Sequence, residues 1–386
     1  MKSKSIIFVT ENYVSGGANK YIEDIVSAIA DEFENIYILG NVEAIKAFNH
    51  SRLPFDAFFQ SINIFNSSEK VKHLSRFKRG LLKLLLFPVG FFQNFISYIS
   101  LYFFIISKRP QFVILCNGGY PASNYLIFSL FFIPIKYKPV MTIVSTPTIP
   151  KNILSKIFWK SINSIVQTKT HMIIVNSQAI KNDMCIKLNF AEDKINIVRN
   201  GVEDIAIEKI SKQNKITLGF VSRVESTKGI TELLEAYEKL SFKYNNLELL
   251  IVGNGLLDFF VQRASEKNST IKILGHISGD LKYIFEQIDI FTLPSYQEGL
   301  PYSVIEACMA KCTVVATNVG GIPEIIEDQV SGLLISPRSS EELFNALSLV
   351  IEDASFRKEL ASNARKSYET LFTYEKMKAQ TRVLLR

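Results

Sequence analysis

Metal-ligand chemistry has little to work with in this sequence. Four cysteines (Cys116, Cys185, Cys308, Cys312) and four histidines (His50, His73, His171, His276) are spread over 386 residues. Cys308 and Cys312 stand four apart, but no second Cys or His pair lies nearby, so no zinc site is expected. The scarcity of cysteine, with no charged start, apolar run and small-residue cleavage site at the N-terminus, points away from an oxidising compartment. Each cysteine is expected to be a small buried hydrophobe. Only 12 prolines and 18 glycines, against 47% apolar residues, exclude disorder and collagen-like repetition as bulk descriptions. No solenoid period and no low-complexity tract occurs. One core does not serve a chain of this length, and two domains are expected.

Acidic residues are absent between Glu69 and Asp183, while Lys70, Lys72, Arg76, Lys78, Arg79 and Lys83 open that interval and nine more Lys and Arg follow. Residues 1–200 hold 23 Lys and Arg against 12 acids, a net +11, and residues 201–386 hold 21 against 25, a net −4. The basic first half calls for an anionic partner, either nucleic acid or anionic lipid. Its apolar segments separate the two. Residues 84–107 carry no charge and are long enough to be scored as a membrane span. Pro88 and Gly90 interrupt the segment, Gln93, Asn94, Ser97 and Ser100 dilute it, and it lies between strands of one sheet, so a span is disfavoured. A core helix and a helix lying in the membrane interface both fit, the second being favoured. A similar stretch at 125–135, followed by Lys136 and Lys138, favours a membrane surface over nucleic acid.

Short β-branched runs alternate with segments of helical period, the pattern of parallel sheets with crossover helices. In the first half the runs are 5–10, 36–40, 112–117, 139–145, 172–177 and 195–199. Residues 203–215 are polar and weakly periodic and read as a linker. The pattern restarts with 216–224, 247–253, 271–275, 290–294, 313–317 and 332–336. The expected fold is therefore α/β, with two Rossmann-like doubly wound parallel-sheet domains facing a cleft: 1–202, the linker 203–215, and 216–386, with the last helix packing back on the first domain. In such sheets ligands bind at the carboxyl ends of the strands.

The loops after those strands carry the chemistry. Gly16 and Gly17 precede a helix, where a turn or an anion-binding helix start both fit. The fuller G-x-G-x-x-G spacing is missing, so a dinucleotide site is not indicated. GFVSRVESTKGI sets Arg223 and Lys228 on one loop ahead of a helix, an arrangement suited to a diphosphate. SYQEGLPYSVIEAC spaces Glu298 and Glu306 eight apart, with Gly299, Leu300 and Pro301 between them. Pro301 opens a helix whose early turns carry Glu306.

These features resemble the retaining glycosyltransferases of the GT-B fold, and within them glycosyltransferase family 4. The residues that carry the resemblance are NGV at 200–202, RVESTKG at 223–229, VGNG at 252–255, LGHIS at 274–278, PSYQEGLPYSVIEA at 294–307, TNVGGIPEII at 317–326 and FTYEKM at 372–377. The resemblance spans the second domain and is thinner in the first. It implies that Arg223 and Lys228 hold the diphosphate of a nucleotide-sugar and act as a leaving-group clamp. Glu306 would accept hydrogen bonds from the ribose and Glu298 would bind hydroxyls of the transferred sugar, beside Gly299 and Leu300. Main-chain groups around His276 and Ile277 would read the base, with Gly253 near them, and the Gly17 backbone would approach the phosphates. The departing diphosphate would help deprotonate the acceptor, so no Asp base is expected. No Asp-x-Asp pair occurs, so no metal and no cofactor is expected, only the nucleotide-sugar as donor.

One departure stands out. Where many such enzymes have a histidine facing the donor sugar, this sequence reads Ser145-Thr146-Pro147. A hydroxyl takes over that contact, the sugar is oriented differently, or donor is bound without efficient transfer. The leading expectation is a retaining hexosyltransferase of cell-surface glycan synthesis. It would use a UDP- or GDP-linked sugar and a lipid-linked or polysaccharide acceptor, on an anionic membrane at its cytoplasmic face and not on nucleic acid. A GT-B sugar-nucleotide epimerase and a non-catalytic GT-B subunit are the alternatives.

Overall fold

The computed structural model describes residues 4–10, 16–40, 42–46, 48, 53, 57–61, 99–117, 135–147, 153–210, 215–277, 279 and 281–386. The chain divides into two compact units, one of residues 1–175, 181–196 and 381–386, the other of 176–180 and 197–380.

The first unit is built on a seven-stranded parallel sheet. Its strands are β1 (Ser5–Thr10), β2 (Asn35–Gly40), β3 (Phe58–Ser61), β4 (Phe112–Asn117), β5 (Lys138–Ile143), β6 (Met172–Val175) and β7 (Ile195–Ile197), ordered β3-β2-β1-β4-β5-β6-β7. β1 reads SIIFVT and is buried at every position, the continuous run a parallel strand shows when both its faces are covered. Strand β3 was not among the expected runs, because FFQS is short and has no β-branched residue. It is an edge strand, where Phe58 stacks on Tyr37 with ring centroids 5.5 Å apart. The last six residues belong to this unit, where Arg382 donates to the Ala28 carbonyl and pairs with Asp31.

Residues 99–108 are helical, with Leu101 and Ile105 buried and Ile99 and Phe103 exposed. The expected apolar segments otherwise fall at 84–98 and 125–134, outside the described residues, as do Arg76, Lys78, Arg79 and Lys83. Among the described residues, no helix is long and apolar enough to cross a membrane.

The second unit holds a six-stranded parallel sheet of β8 (Ile216–Val221), β9 (Leu247–Val252), β10 (Ile271–Gly275), β11 (Ile290–Leu293), β12 (Thr313–Thr317) and β13 (Leu333–Ile335), ordered β10-β9-β8-β11-β12-β13. The order reverses between β8 and β11. The loops after those two strands therefore diverge from the middle of the sheet, where an open α/β sheet binds ligands. Several strands end one to three residues before their β-branched pattern does, and β8 stops at Val221 rather than Val224. The residues gained by the loops are the ones that carry polar chemistry. Residues 203–210 form no helix or strand and belong to the second unit. Lys209 fastens them to the sheet by donating to the carbonyls of Phe285 (2.9 Å) and Ile288 (2.5 Å) and to Cys312 Sγ (3.0 Å).

Two motifs separated by about 170 residues close this unit. Val202 N–H donates to the Phe372 carbonyl and Tyr374 N–H to the Val202 carbonyl, each at 2.9 Å, while the Tyr368 hydroxyl donates to that same carbonyl at 3.0 Å. NGV and FTYEKM are thus one structural joint. The four cysteines are free; three are buried, and burial pushes the Cys116 thiol up to about 12.

Phe291 of β11 is fully buried against Phe285 and carries the centre of the second sheet. Phe291→Ala should cost about 3–5 kcal/mol through lost transfer energy and the cavity left behind. Denaturant unfolding of the full chain should show the second unit's transition at lower midpoint; an unmoved transition would contradict this packing.

Candidate functional site

The chemistry expected of the second unit gathers on the loops after β8 and β11. Beyond β8 the chain passes Arg223 and forms a single 3-10 turn, Ser226–Lys228, before the helix Ile230–Lys243. The junction is Gly229, with φ at +70° and an ideal Cβ only 1.9 Å from the Pro294 carbonyl oxygen. Any side chain here would be strained and would force the β11 loop away. Tyr296 N–H donates back to the Thr227 carbonyl at 2.9 Å, so the two loops run side by side.

Lys228 meets Glu298 at this seam, its Nζ donating to Glu298 Oε1 at 2.6 Å. Ser295 Oγ donates to the same oxygen at 2.7 Å. The side chains of Lys228 and Glu298 are 15% and 9% exposed, so both charges are largely out of water and each needs the other. Arg223 is placed differently. Half-exposed, it pairs with Glu225 at 2.7 Å, a surface contact of little stabilising value.

The segment 295–300 is fastened along its whole length. Thr317 Oγ1 donates to the Ser295 carbonyl (2.6 Å), Gly321 N–H to the Gly299 carbonyl (2.7 Å) and Asn200 Nδ2 to the Leu300 carbonyl (2.5 Å). At Gly320, φ is +55° and a Cβ would stand 1.9 Å from the Glu298 carbonyl oxygen. The TNVGGIPEII motif is therefore a rest for the Glu298 backbone. Its Glu324 accepts from Ala179 N–H at 2.9 Å and faces Arg199 at 3.4 Å, which explains why residues 176–180 and 197–202 count with the second unit.

Glu306 lies half-buried on the helix Tyr302–Met309, which begins directly after Pro301 as expected. At the ends of β8, β9 and β10, a cavity of about 90 Å³ is lined by Val224, Gly253, Asn254, Asp258, Ile273 and Gly275, among others. His276, exposed, and Ile277, half-buried, directly follow Gly275 in the chain. In the first unit, Gly16 has extended backbone at φ 168° with nothing within 4 Å of an added Cβ. It lies open at the start of the helix Gly17–Ala28, where its carbonyl accepts from Asn19 and Lys20. Ser145 and Thr146 follow β5, both half-buried.

Sequence reasoning gave no role to Ser295, Tyr296, Asn200 or Glu232. Ser295 and Asn200 stood inside quoted motifs. Tyr296 donates its hydroxyl to Glu232 Oε1 at 2.5 Å across 64 residues of sequence, a pairing with no local signal.

Residues 202–367 match the family Glycosyl transferases group 1. Those 166 residues, all within the second unit, are a group 1 glycosyltransferase domain. An uncharacterized glycosyltransferase of Methanocaldococcus jannaschii is 28% identical over 243 residues, 58% of this chain and 62% of that protein. A 4-alpha-N-acetylgalactosaminyltransferase of Campylobacter jejuni, named for an N-acetylgalactosamine-N,N'-diacetylbacillosaminyl-diphospho-undecaprenol substrate, is 27% identical over 253 residues, 63% of this chain and 68% of that protein. The matched region thus spans about three fifths to two thirds of these relatives. Among solved structures, Anabaena HepE in complex with UDP superposes with a TM-score of 0.76, covering 99% of each chain at 17% identity. The fold is the GT-B one of these glycosyltransferase structures, as the sequence motifs led one to expect.

Gly320→Ala tests the geometry of the Glu298 loop. The strained φ and the contact with the Glu298 carbonyl should lower the melting temperature by several degrees, in line with a loss of more than about 1 kcal/mol. Gly16→Ala, with open space and extended backbone, should leave it within about 1 °C by the same scaling. Equal melting temperatures for the two variants would contradict the seam described here.

Proposed function

We propose that this protein is a retaining, metal-independent glycosyltransferase that moves a sugar from a UDP- or GDP-linked donor to a lipid-linked or glycan acceptor in cell-surface glycan synthesis. The observation that carries this reading is the meeting of Lys228 and Glu298 at 2.6 Å on the two loops that diverge from the middle of the second sheet, the first of which also carries Arg223. Lys228 has three donor hydrogens, so it can keep Glu298 while turning another toward a diphosphate oxygen. Arg223 leaves only a weak surface pair when it turns to the same anion, and its planar fork suits phosphate. Together they offset charge on the departing nucleotide, the interaction that strengthens most as the glycosidic bond breaks.

Glu298, oriented by Lys228 and Ser295, retains acceptor capacity on its carboxylate for sugar hydroxyls. Glu306 is assigned to the ribose, and the cavity beside Gly253 and Gly275, with the main chain at His276 and Ile277, to the base. With no Asp-x-Asp pair in the sequence, the two cations take the charge-balancing part that such a pair gives to a metal. A diphospho-undecaprenol acceptor in the name of the Campylobacter relative, and UDP in the HepE structure, support the donor and acceptor classes.

The test is direct. Arg223→Ala should lower donor turnover by roughly 10² or more while the unfolding midpoint stays put, because Arg223 is half-exposed. Lys228→Ala is the poorer probe, since it strands Glu298 as a buried charge and should also destabilise the fold. Chelator should leave wild-type turnover unchanged. Full activity in a folded Arg223→Ala variant, or loss to chelator restored by magnesium, would overturn the reading.

We also propose that the basic first half holds the protein on an anionic membrane at its cytoplasmic face. Each Lys or Arg near the surface contributes on the order of 1 kcal/mol, screened by salt, while inserted apolar side chains add a part insensitive to salt. Replacing Arg76, Lys78, Arg79 and Lys83 by Ser should release the protein from anionic vesicles in flotation and spare hydrolysis of soluble donor. A wild-type protein that ignores anionic vesicles would refute this.

A further inference from the structure

Two tethers join the turn that carries Lys228 to the loop that carries Glu298. One is their own ion pair. The other is Tyr296, whose N–H donates to Thr227 and whose hydroxyl donates to Glu232, two residues into the helix that follows the turn. The face of the Tyr296 ring is capped by the Arg338 guanidinium, 4.6 Å from the centroid. Arg338 holds that position from a left-handed backbone at φ 64°, a conformation that costs a side-chain-bearing residue energy.

The two tethers respond differently to an anion. A bound diphosphate shares the Lys228 ammonium with Glu298, so the ion pair, though kept, holds the two loops less firmly when the site fills. The phenol–carboxylate bond involves no cation and is left intact. Burial, together with Glu232, pushes the Tyr296 hydroxyl up to about 12, so it remains a donor at any working pH. Glu232 Oε2 is buried and has no hydrogen-bond partner among the described residues. A pair retained for stability alone would be improved by satisfying or removing that oxygen, since an unmet buried acceptor costs more than an apolar replacement.

We propose that Tyr296 and Glu232 are positioning residues of the donor site, keeping Lys228 and Glu298 in register while the diphosphate draws on Lys228. This rests on the donor-site reading above. Neither residue touches the donor in this account; both act through the two loops.

The experiment uses the full chain and four proteins: wild type, Tyr296→Phe, Glu232→Gln, and the double variant Tyr296→Phe/Glu232→Leu. Affinity for UDP and for GDP is measured by calorimetry, and the melting temperature of each protein is measured without nucleotide. Tyr296→Phe and the double variant should bind the preferred nucleotide about tenfold more weakly, equivalent to about 1.4 kcal/mol. Glu232→Gln, which keeps an oxygen acceptor facing Tyr296, should stay within about threefold by the same conversion. The double variant should melt near wild type, a combination a purely structural pair would not give. Unchanged affinity in both Tyr296 variants overturns the proposal and leaves the donor-site reading standing, as does weakened affinity that merely follows falling melting temperature. A wild-type protein that binds neither nucleotide removes the donor-site reading and this proposal with it.

Discussion

The second unit depends on keeping the Lys228 and Glu298 charges together where little water reaches them. Two such groups are costly to desolvate singly and tolerable only as a hydrogen-bonded pair. Their partnership demands that two loops, 70 residues apart in sequence, be held to within a hydrogen bond of each other. Much of the neighbouring structure meets that demand. Thr317, Gly321 and Asn200 each fasten one carbonyl of the segment 295–300, and Gly229 and Gly320 let backbone lie where a side chain would have pushed the loops apart. A site so constrained pays its ordering cost during folding rather than when a ligand arrives.

The same constraint gives the scattered motifs a common meaning. TNVGGIPEII supports the Glu298 backbone, and NGV reaches the next carbonyl through Asn200 while bonding to FTYEKM through Val202. Each motif is a run of backbone contacts more than a set of side-chain reagents. Glycine, proline and asparagine recur in them because close approach, a helix start and a backbone-directed amide are what those contacts need. Only Arg223, Lys228, Glu298 and Glu306 bring charge to this framework as candidate ligands.

Electrostatics divides the chain in another way. The first half carries +11 and the second −4, so the cations assigned to the donor stand in the half whose net charge is slightly acidic. Lys228 is effective because it is held in place and largely out of water, not because the domain as a whole attracts anions. Arg223, paired with Glu225 at the surface, and Lys228, buried against Glu298, show two ways of holding a cation ready at modest cost.

Most strands, the parallel α/β class and the helix start after Pro301 were legible in the sequence, because period, β-branching and turn chemistry are local properties. β3 was not, since FFQS has no pattern and is a strand only because β2 offers an edge to pair with. The resemblance named the residues of the candidate site, but it did not give their partners. Sequence set Lys228 toward a phosphate and Glu298 toward a sugar, whereas folding joined them to each other and to Ser295. It also gave Tyr296 to Glu232 and left Arg223 at the surface. Such pairings join positions tens of residues apart, and their geometry exists only once the β8 and β11 loops lie side by side. The sequence by itself determined which residues have the chemistry; the tertiary structure decided which of them meet, because burial and distance are properties of the folded chain alone.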